Sequence, residues 1–158
     1  MPKVSLKKVV ALTTHQAFAI AADVASYKEF LPLVTRSSIR GQVVEQGDEK
    51  RFAADLMVAI EKLGLREGFT SQVVTNAAAS TVVAISQDGP IRNLKATWKI
   101  SAIDSARSTV AIDIDYEFKS KLLQLAAGSL MDRAVARVLE AFEARGRALY
   151  PNSALPNI

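Results

Sequence analysis

The chain has 158 residues, 49% of them hydrophobic and 23% charged, with 20 Lys+Arg against 16 Asp+Glu for a formal charge of +4. That length suits one domain and the apolar content supplies a core, so global disorder is excluded. Cysteine is absent and His15 is the sole histidine, which removes disulfides, thiolate nucleophiles, Cys-ligated metals and multi-His metal centres.

Near the start, Lys3, Lys7 and Lys8 precede an apolar stretch, but Thr13-Thr14-His15-Gln16 interrupts it. A signal peptide needs an unbroken apolar segment, and no run of about 18 apolar residues marks a membrane-crossing helix. The expectation is a cytoplasmic protein with modest attraction to anionic surfaces. Val4, Leu6, Val10 and Leu12 instead alternate as a strand over 3–12. Thr13 and Thr14 can cap a helix over 16–25 that carries Phe18, Ile20, Ala21 and Val24 at helical spacing. A short helical turn follows at Tyr27–Leu31, closed by Pro32.

Residues 35–46 and 50–61 read as a hairpin about Gly47, with Phe52, Ala54, Leu56, Val58 and Ile60 sharing one parity. Strands over 65–75 and 80–87 come next, and Asp88-Gly89-Pro90 is a turn. Leu94, Ala96, Trp98, Ile100 and Ala102 alternate with polar residues, as do Val110, Ile112, Ile114, Tyr116 and Phe118. One face is wet and the other apolar, the antiparallel pattern. The proline-free stretch 121–150 has apolar residues at helical spacing and extends about 45 Å as a helix. The order predicts an α+β helix-grip fold, a curved antiparallel sheet around a long C-terminal helix. The domain is expected over 1–150, with 151–158 a flexible tail.

Catalysis finds little material. A Ser or Thr nucleophile has only His15 as imidazole base, and the position of His15 between strand and helix suits an exposed capping region. Asp113, Asp115 and Glu117 form a row on the wet face, opposite Lys95, Lys99 or Arg107. No catalytic residue and no metal ligand is assigned. Arg133, Arg137, Arg145 and Arg147, with Lys119 and Lys121, give the last helix a basic edge. That edge is either a face paired with Glu140 and Glu143 or a contact for anionic membrane or RNA, for which Lys121, Arg133 and Arg137 are the candidates. Inward parity nominates Phe30, Leu31, Pro32, Phe69, Leu94, Trp98, Leu123 and Leu130 as the lining of an apolar ligand cavity between sheet and helix, gated at one end by Phe30-Leu31-Pro32.

Several motifs carry a resemblance. Ala22-Asp23-Val24 with Tyr27–Pro32, then Arg66–Ser71, Asp88–Leu94 leading to Trp98, Asp115–Ser120, and Ala141–Arg145 with Tyr150 resemble, in order, the coenzyme Q-binding START-domain family. That family lies within the polyketide cyclase/dehydrase-like proteins and includes the bacterial ribosome-association toxin. The chain departs from its pattern at Ile91 and at Leu33-Val34, where the family carries more aromatic residues. The resemblance implies non-enzymatic binding of a polyprenyl quinone, ubiquinone, or a similar lipid in support of respiratory electron transport, with peripheral contact at the inner face of the membrane. The alternatives are a toxin that binds the large ribosomal subunit and blocks subunit joining, and a polyketide cyclase or aromatase. The last has only His15 and carboxylates on wet positions to offer as acid or base.

Overall fold

The computed structural model describes residues 2–60 and 64–151. In chain order these form β1 (Lys3–Val10), α1 (Thr14–Ala22), a 3-10 helix (Val24–Glu29), β2 (Val34–Gln46), β3 (Glu49–Ile60), β4 (Leu65–Asn76), β5 (Thr81–Ser86), β6 (Ile91–Ala102), β7 (Ser108–Phe118) and α2 (Lys121–Leu149). The strands make one seven-stranded sheet in the order β1-β7-β6-β5-β4-β3-β2, antiparallel at every pairing. Six of the strands meander from hairpin to hairpin. β1 instead joins the far edge beside β7, which places the start of the chain next to its long helix. The expected tail 151–158 lies outside the described residues beyond Pro151.

Local chemistry sets the boundaries. β1 stops at Val10 rather than running to residue 12, and Leu12 turns inward to 3% exposure. α1 begins at Thr14 because Thr13 caps it: its hydroxyl accepts from Gln16 N at 3.1 Å, while Gln16 Oε1 accepts from Thr13 N at 3.0 Å. This reciprocal pair satisfies two of the donors that a helix start leaves free. β2 runs straight through Gly41, which adopts φ +73° at a register shift between Arg40 and Val44. Such a bulge bends an edge strand, and glycine takes the left-handed backbone at no steric cost.

Period-two alternation turns Ala54, Val73, Val82, Trp98, Val110 and Ile112 toward one side, where all are buried. α2 answers with Ala127, Val135, Leu139 and Phe142 on one helical stripe, and packs against β1, β7 and α1. Trp98 stacks on Phe142 with ring centroids 5.4 Å apart, and Tyr27 of the 3-10 helix stands 6.4 Å from Trp98. This aromatic group joins the sheet, the long helix and the 3-10 helix.

The convex face is polar. Arg40 Nε donates to both oxygens of Asp55, at 3.0 and 2.9 Å, and Thr70 Oγ1 donates to Asp55 Oδ1 at 2.6 Å. These bonds, that from Arg40 foremost, hold the Asp55 carboxyl below its ordinary value of 3.8. A depressed folded pKa contributes stability that is present above the unfolded value and is lost as pH falls through the folded one. Denaturation midpoints of wild type should therefore fall as pH drops below about 4, and Asp55→Asn should flatten that part of the profile. An unchanged acid slope in the variant would show that the pair contributes nothing to folding.

Candidate functional site

The concave face changes character along its length. At one end Phe52, Ala54, Val73, Trp98, Ile100 and Phe142 are all buried. Toward the other end the same face carries Leu56, Val58, Phe69, Leu94 and Phe118, each only half-buried, opposite half-buried Leu123, Leu130 and Met131 of α2. These apolar side chains point inward yet keep solvent contact. Backbone connectivity places the openings of the β3, β4, β6 and β7 strand ends there: Val34 pairs with Val58, Leu65 with Ile60, and Ile91 with Phe118.

The eight nominated lining residues divide accordingly. Phe69, Leu94, Leu123 and Leu130 lie at the half-buried end. Trp98 and Leu31 belong to the packed core at 5% and 7% exposure, and Phe30 packs against it. Pro32 is exposed. The burial of Leu31 has a consequence for mutagenesis: a carboxylate there would sit in the core, so Leu31 cannot serve as a rim position for a charge that leaves the fold intact. Leu123 can.

Phe30 meets Tyr27 edge-on at 5.9 Å and carries the Arg145 guanidinium 5.2 Å above its ring. Arg145 also reaches Glu29 at 3.6 Å. Two surface hollows flank this region. One of about 170 Å³ is lined by Ile20, Asp23, Ser26, Phe30, Arg145 and Tyr150, among others. The second, about 230 Å³, lies between the β1–α1 bend and α2, at Val10, Ala11, Leu12, Glu143 and Arg147. Of the nominated residues, only Phe30 touches either hollow.

Tyr27 is the titratable member of the aromatic cluster. Its hydroxyl donates to the Ala21 carbonyl, and its pKa is raised, by burial first and then by the Asp23 charge, against an opposing hydrogen bond from Trp98. It stays a neutral phenol at any physiological pH and anchors α1 to the 3-10 helix. Tyr116, buried at 3% exposure, is also raised, by burial first and then by Asp132. Neither tyrosine is poised as an acid or base near neutrality.

The remaining candidates sit on the exterior. His15 is exposed in the first turn of α1, whose cap is Thr13. In the acidic row, Asp115 pairs in register with Lys95 of the neighbouring β6 and approaches Lys3 at 3.9 Å, and Glu117 accepts from Asn93. Lys99 donates to the Ala79 carbonyl and Arg107 pairs with Asp104. On α2, Glu143 takes Lys8 and Arg147. Lys121, Arg133 and Arg137 are exposed and enter no ion pair among the described residues. Among the described residues no group of three or more His, Cys, Asp or Glu is placed to hold a metal, and no helix is long and apolar enough to cross a membrane.

A signal missed in the sequence is the pair Leu122 and Leu125, exposed at 79% and 77% beside Lys121. Helical phase alone separates them from the inward stripe at Leu123 and Ala127.

A seven-stranded antiparallel sheet curved over one long terminal helix, with an apolar inner face, defines a helix-grip protein of the START type. The chain belongs to the polyketide cyclase/dehydrase and lipid transport family, whose model matches residues 10–143. Among its relatives, the ribosome association toxin RatA of Vibrio cholerae serotype O1 is 29% identical over 150 residues, spanning 95% of this chain and 99% of that one. The mitochondrial coenzyme Q-binding protein coq10 of Schizosaccharomyces pombe is 29% identical over 126 residues, spanning 79% and 74%. In fold, the Zhui aromatase/cyclase of a Streptomyces species superposes with a TM-score of 0.82 over 98% of this chain and 99% of that one, at 14% identity.

Proposed function

We propose that this protein binds a polyprenyl quinone, coenzyme Q, or a similar lipid between the half-buried end of its concave sheet and α2, and carries it without catalysing its conversion. The observation that carries this reading is the apolar, half-buried interior around Phe69, Leu94, Leu123 and Leu130. Burying one isoprene unit, about five carbons, stabilises by roughly 3–4 kcal/mol at ~0.8 kcal/mol per carbon group. A few buried units meet the roughly −8 kcal/mol that micromolar affinity requires, even after ordering costs. A long tail exceeds a domain of this size, so part of it stays exposed and loading occurs at a membrane surface, on the cytoplasmic side in support of respiratory electron transfer. Lys121, Arg133 and Arg137 supply attraction to anionic lipid there. The similarity to a coenzyme Q-binding protein supports the choice of ligand.

Ribosome association is the second reading. It is favoured by the same exposed cations, free of ion pairs among the described residues, and by the similarity to a ribosome association toxin over nearly the whole chain. The fold similarity to an aromatase/cyclase extends to shape alone.

Quinone transfer between vesicles, read at several salt concentrations, tests the carrier. Leu123 is the third residue of α2, where its N–H already donates to the Ser120 cap and the first turn holds no acidic residue. Leu123→Asp therefore puts a charge at the interior rim in a position that helix electrostatics favours; it should cut quinone retention at least tenfold with the fold intact. Arg133→Glu with Arg137→Glu should keep retention but slow transfer to anionic vesicles, most at low salt, since attraction is screened over about 8–10 Å. Equal transfer by wild type and both variants, together with salt-dependent binding of wild type to ribosomal subunits, would replace the carrier by the ribosome reading.

A further inference from the structure

Two buried side-chain polar atoms among the described residues have no hydrogen-bond partner: Ser71 Oγ and Gln124 Nε2. Buried polar atoms are paired in the large majority of cases, because an orphan has given up its bonds to water with nothing in return. The other buried serines follow that rule. Ser37 Oγ donates to the Ala25 carbonyl at 2.7 Å, Ser86 Oγ to Thr70 O at 2.7 Å, and Ser108 Oγ to Leu12 O at 2.9 Å.

Each orphan adjoins a residue of the half-buried end, Ser71 two residues along β4 from Phe69 and Gln124 through its bond to Phe118. Ser71 is 1% exposed and lies on β4 between Phe69 and Val73, with its parity and so on the concave face. It pairs in register with Ala54, next to the Leu56–Phe69 pair of the half-buried end. Gln124 lies one residue past Leu123 in α2, and its Oε1 accepts from Phe118 N at 2.7 Å. That bond fixes the amide's orientation: an N–H can only be met by the oxygen, so the group left over is the NH₂, which donates and cannot accept. Sheet and helix thus each hold a spare donor beside the half-buried end, and the inward residues around Ser71 (Ala54, Leu56, Phe69 and Val73) carry no charge.

We infer that Ser71 and Gln124 are hydrogen-bond positions for the ligand's headgroup, and that this headgroup is an uncharged one bearing acceptor oxygens, such as the two carbonyls of a para-quinone. This rests on the lipid-binding reading and deepens it. A carboxylate or phosphate headgroup finds no counter-charge among those wall residues, and burying it unpaired is costly. A pure hydrocarbon leaves both donors unmet. The carbonyls of a para-quinone point in opposite directions, so one ring can meet donors on two separate elements, Gln124 giving through Nε2–H and Ser71 through Oγ–H.

The test compares decylubiquinone with dodecylbenzene, which has a comparable tail and ring and no oxygen, by titration of the full chain. Ser71→Ala removes one donor with little change of shape. Gln124→Glu keeps an oxygen for Phe118 N and replaces the spare donor by an acceptor. Each should weaken decylubiquinone about tenfold while leaving dodecylbenzene within twofold of wild type, and Ser71→Ala should leave the melting temperature equal or higher. Unchanged quinone affinity in both variants overturns the headgroup assignment and leaves the lipid-binding reading standing. A parallel loss of both probes overturns it as well, because the residues then act on the shape of the site. If wild type binds neither probe, the lipid-binding reading fails and the assignment fails with it.

Discussion

Replacing Trp98 by alanine is expected to lower folding stability by about 3–5 kcal/mol, the range for truncating a large buried aromatic. Trp98 is 5% exposed on β6, opposite Val82 and Ile112 on the neighbouring strands. Its indole stacks on Phe142 at 30° and lies 6.4 Å from Tyr27. One side chain therefore fills the junction of sheet, long helix and 3-10 helix, where aromatic geometry adds about 0.5–1.5 kcal/mol to area burial. Since domains of this kind have only about 5–15 kcal/mol in hand, Trp98→Phe is the milder companion variant. Leu94→Ala, at the half-buried end of the same strand, should cost clearly less, because a side chain that keeps solvent contact leaves a smaller dry void. Urea denaturation at constant m-value reads all three. A loss under about 1.5 kcal/mol for Trp98→Ala, or one no greater than for Leu94→Ala, would mean that the interior is as loosely packed at the Trp98 end as at the other.

Gly146→Ala is expected to destabilise by about 1–3 kcal/mol, against the usual gain from replacing a helical glycine. A Cβ at Gly146 would lie 2.6 Å from Leu12 Cδ1, 3.1 Å from Cδ2 and 3.2 Å from Cγ. A leucine end can give way, but Leu12 is only 3% exposed, so it must leave its packed position and turn toward the hollow it lines beside Glu143 and Arg147. Gly146 is thus the notch through which α2 seats on the bend after β1. Leu12→Ala alone should cost about 2–5 kcal/mol by opening a cavity. In the double variant the new methyl occupies part of that cavity, so the combined loss should fall short of the sum by about 0.5–3 kcal/mol. Strict additivity in this cycle would show that the two sites do not touch in solution.

Leu12 also shows where reading along the chain stops. Its alternation with Val10 extends the first strand to residue 12, yet the strand ends at Val10 and Leu12 is held by a helix more than a hundred residues away. Local pattern cannot register such a contact. The strands themselves were legible because one wet and one buried face impose period two on the sequence. α2 was legible from its 3.6-residue stripe and lack of proline, and its described span, Lys121–Leu149, differs by one residue from the expected end.

The candidate site was legible only as a face. Parity places Phe69, Leu94 and Trp98 on the same side of the sheet, but Trp98 is packed solid while the other two are half-buried. That distinction depends on what each side chain meets from other elements, which has no period of its own. Leu31 and Pro32 are adjacent in sequence, and one lies in the core while the other is exposed. The same holds for the charges. Spacing offered Glu140 and Glu143 as one set of partners for the arginines of α2; Glu143 does take Arg147, but it also takes Lys8 of β1, and Arg145 reaches Glu29. The orphaned donors of Ser71 and Gln124 are further still from the sequence, since a missing partner is a property of every neighbour at once.

By itself, then, the order of residues determined the element types, the antiparallel alternation, the terminal helix and the absence of cysteine or multi-histidine chemistry, because each follows from the side-chain period or from residue identity. The tertiary structure decided which inward residues are packed and which keep solvent contact, which cations of α2 enter no ion pair among the described residues, and which buried polar atoms there lack a partner. Those depend on the sum of contacts from segments distant in the chain, and short-range pattern carries no record of that sum.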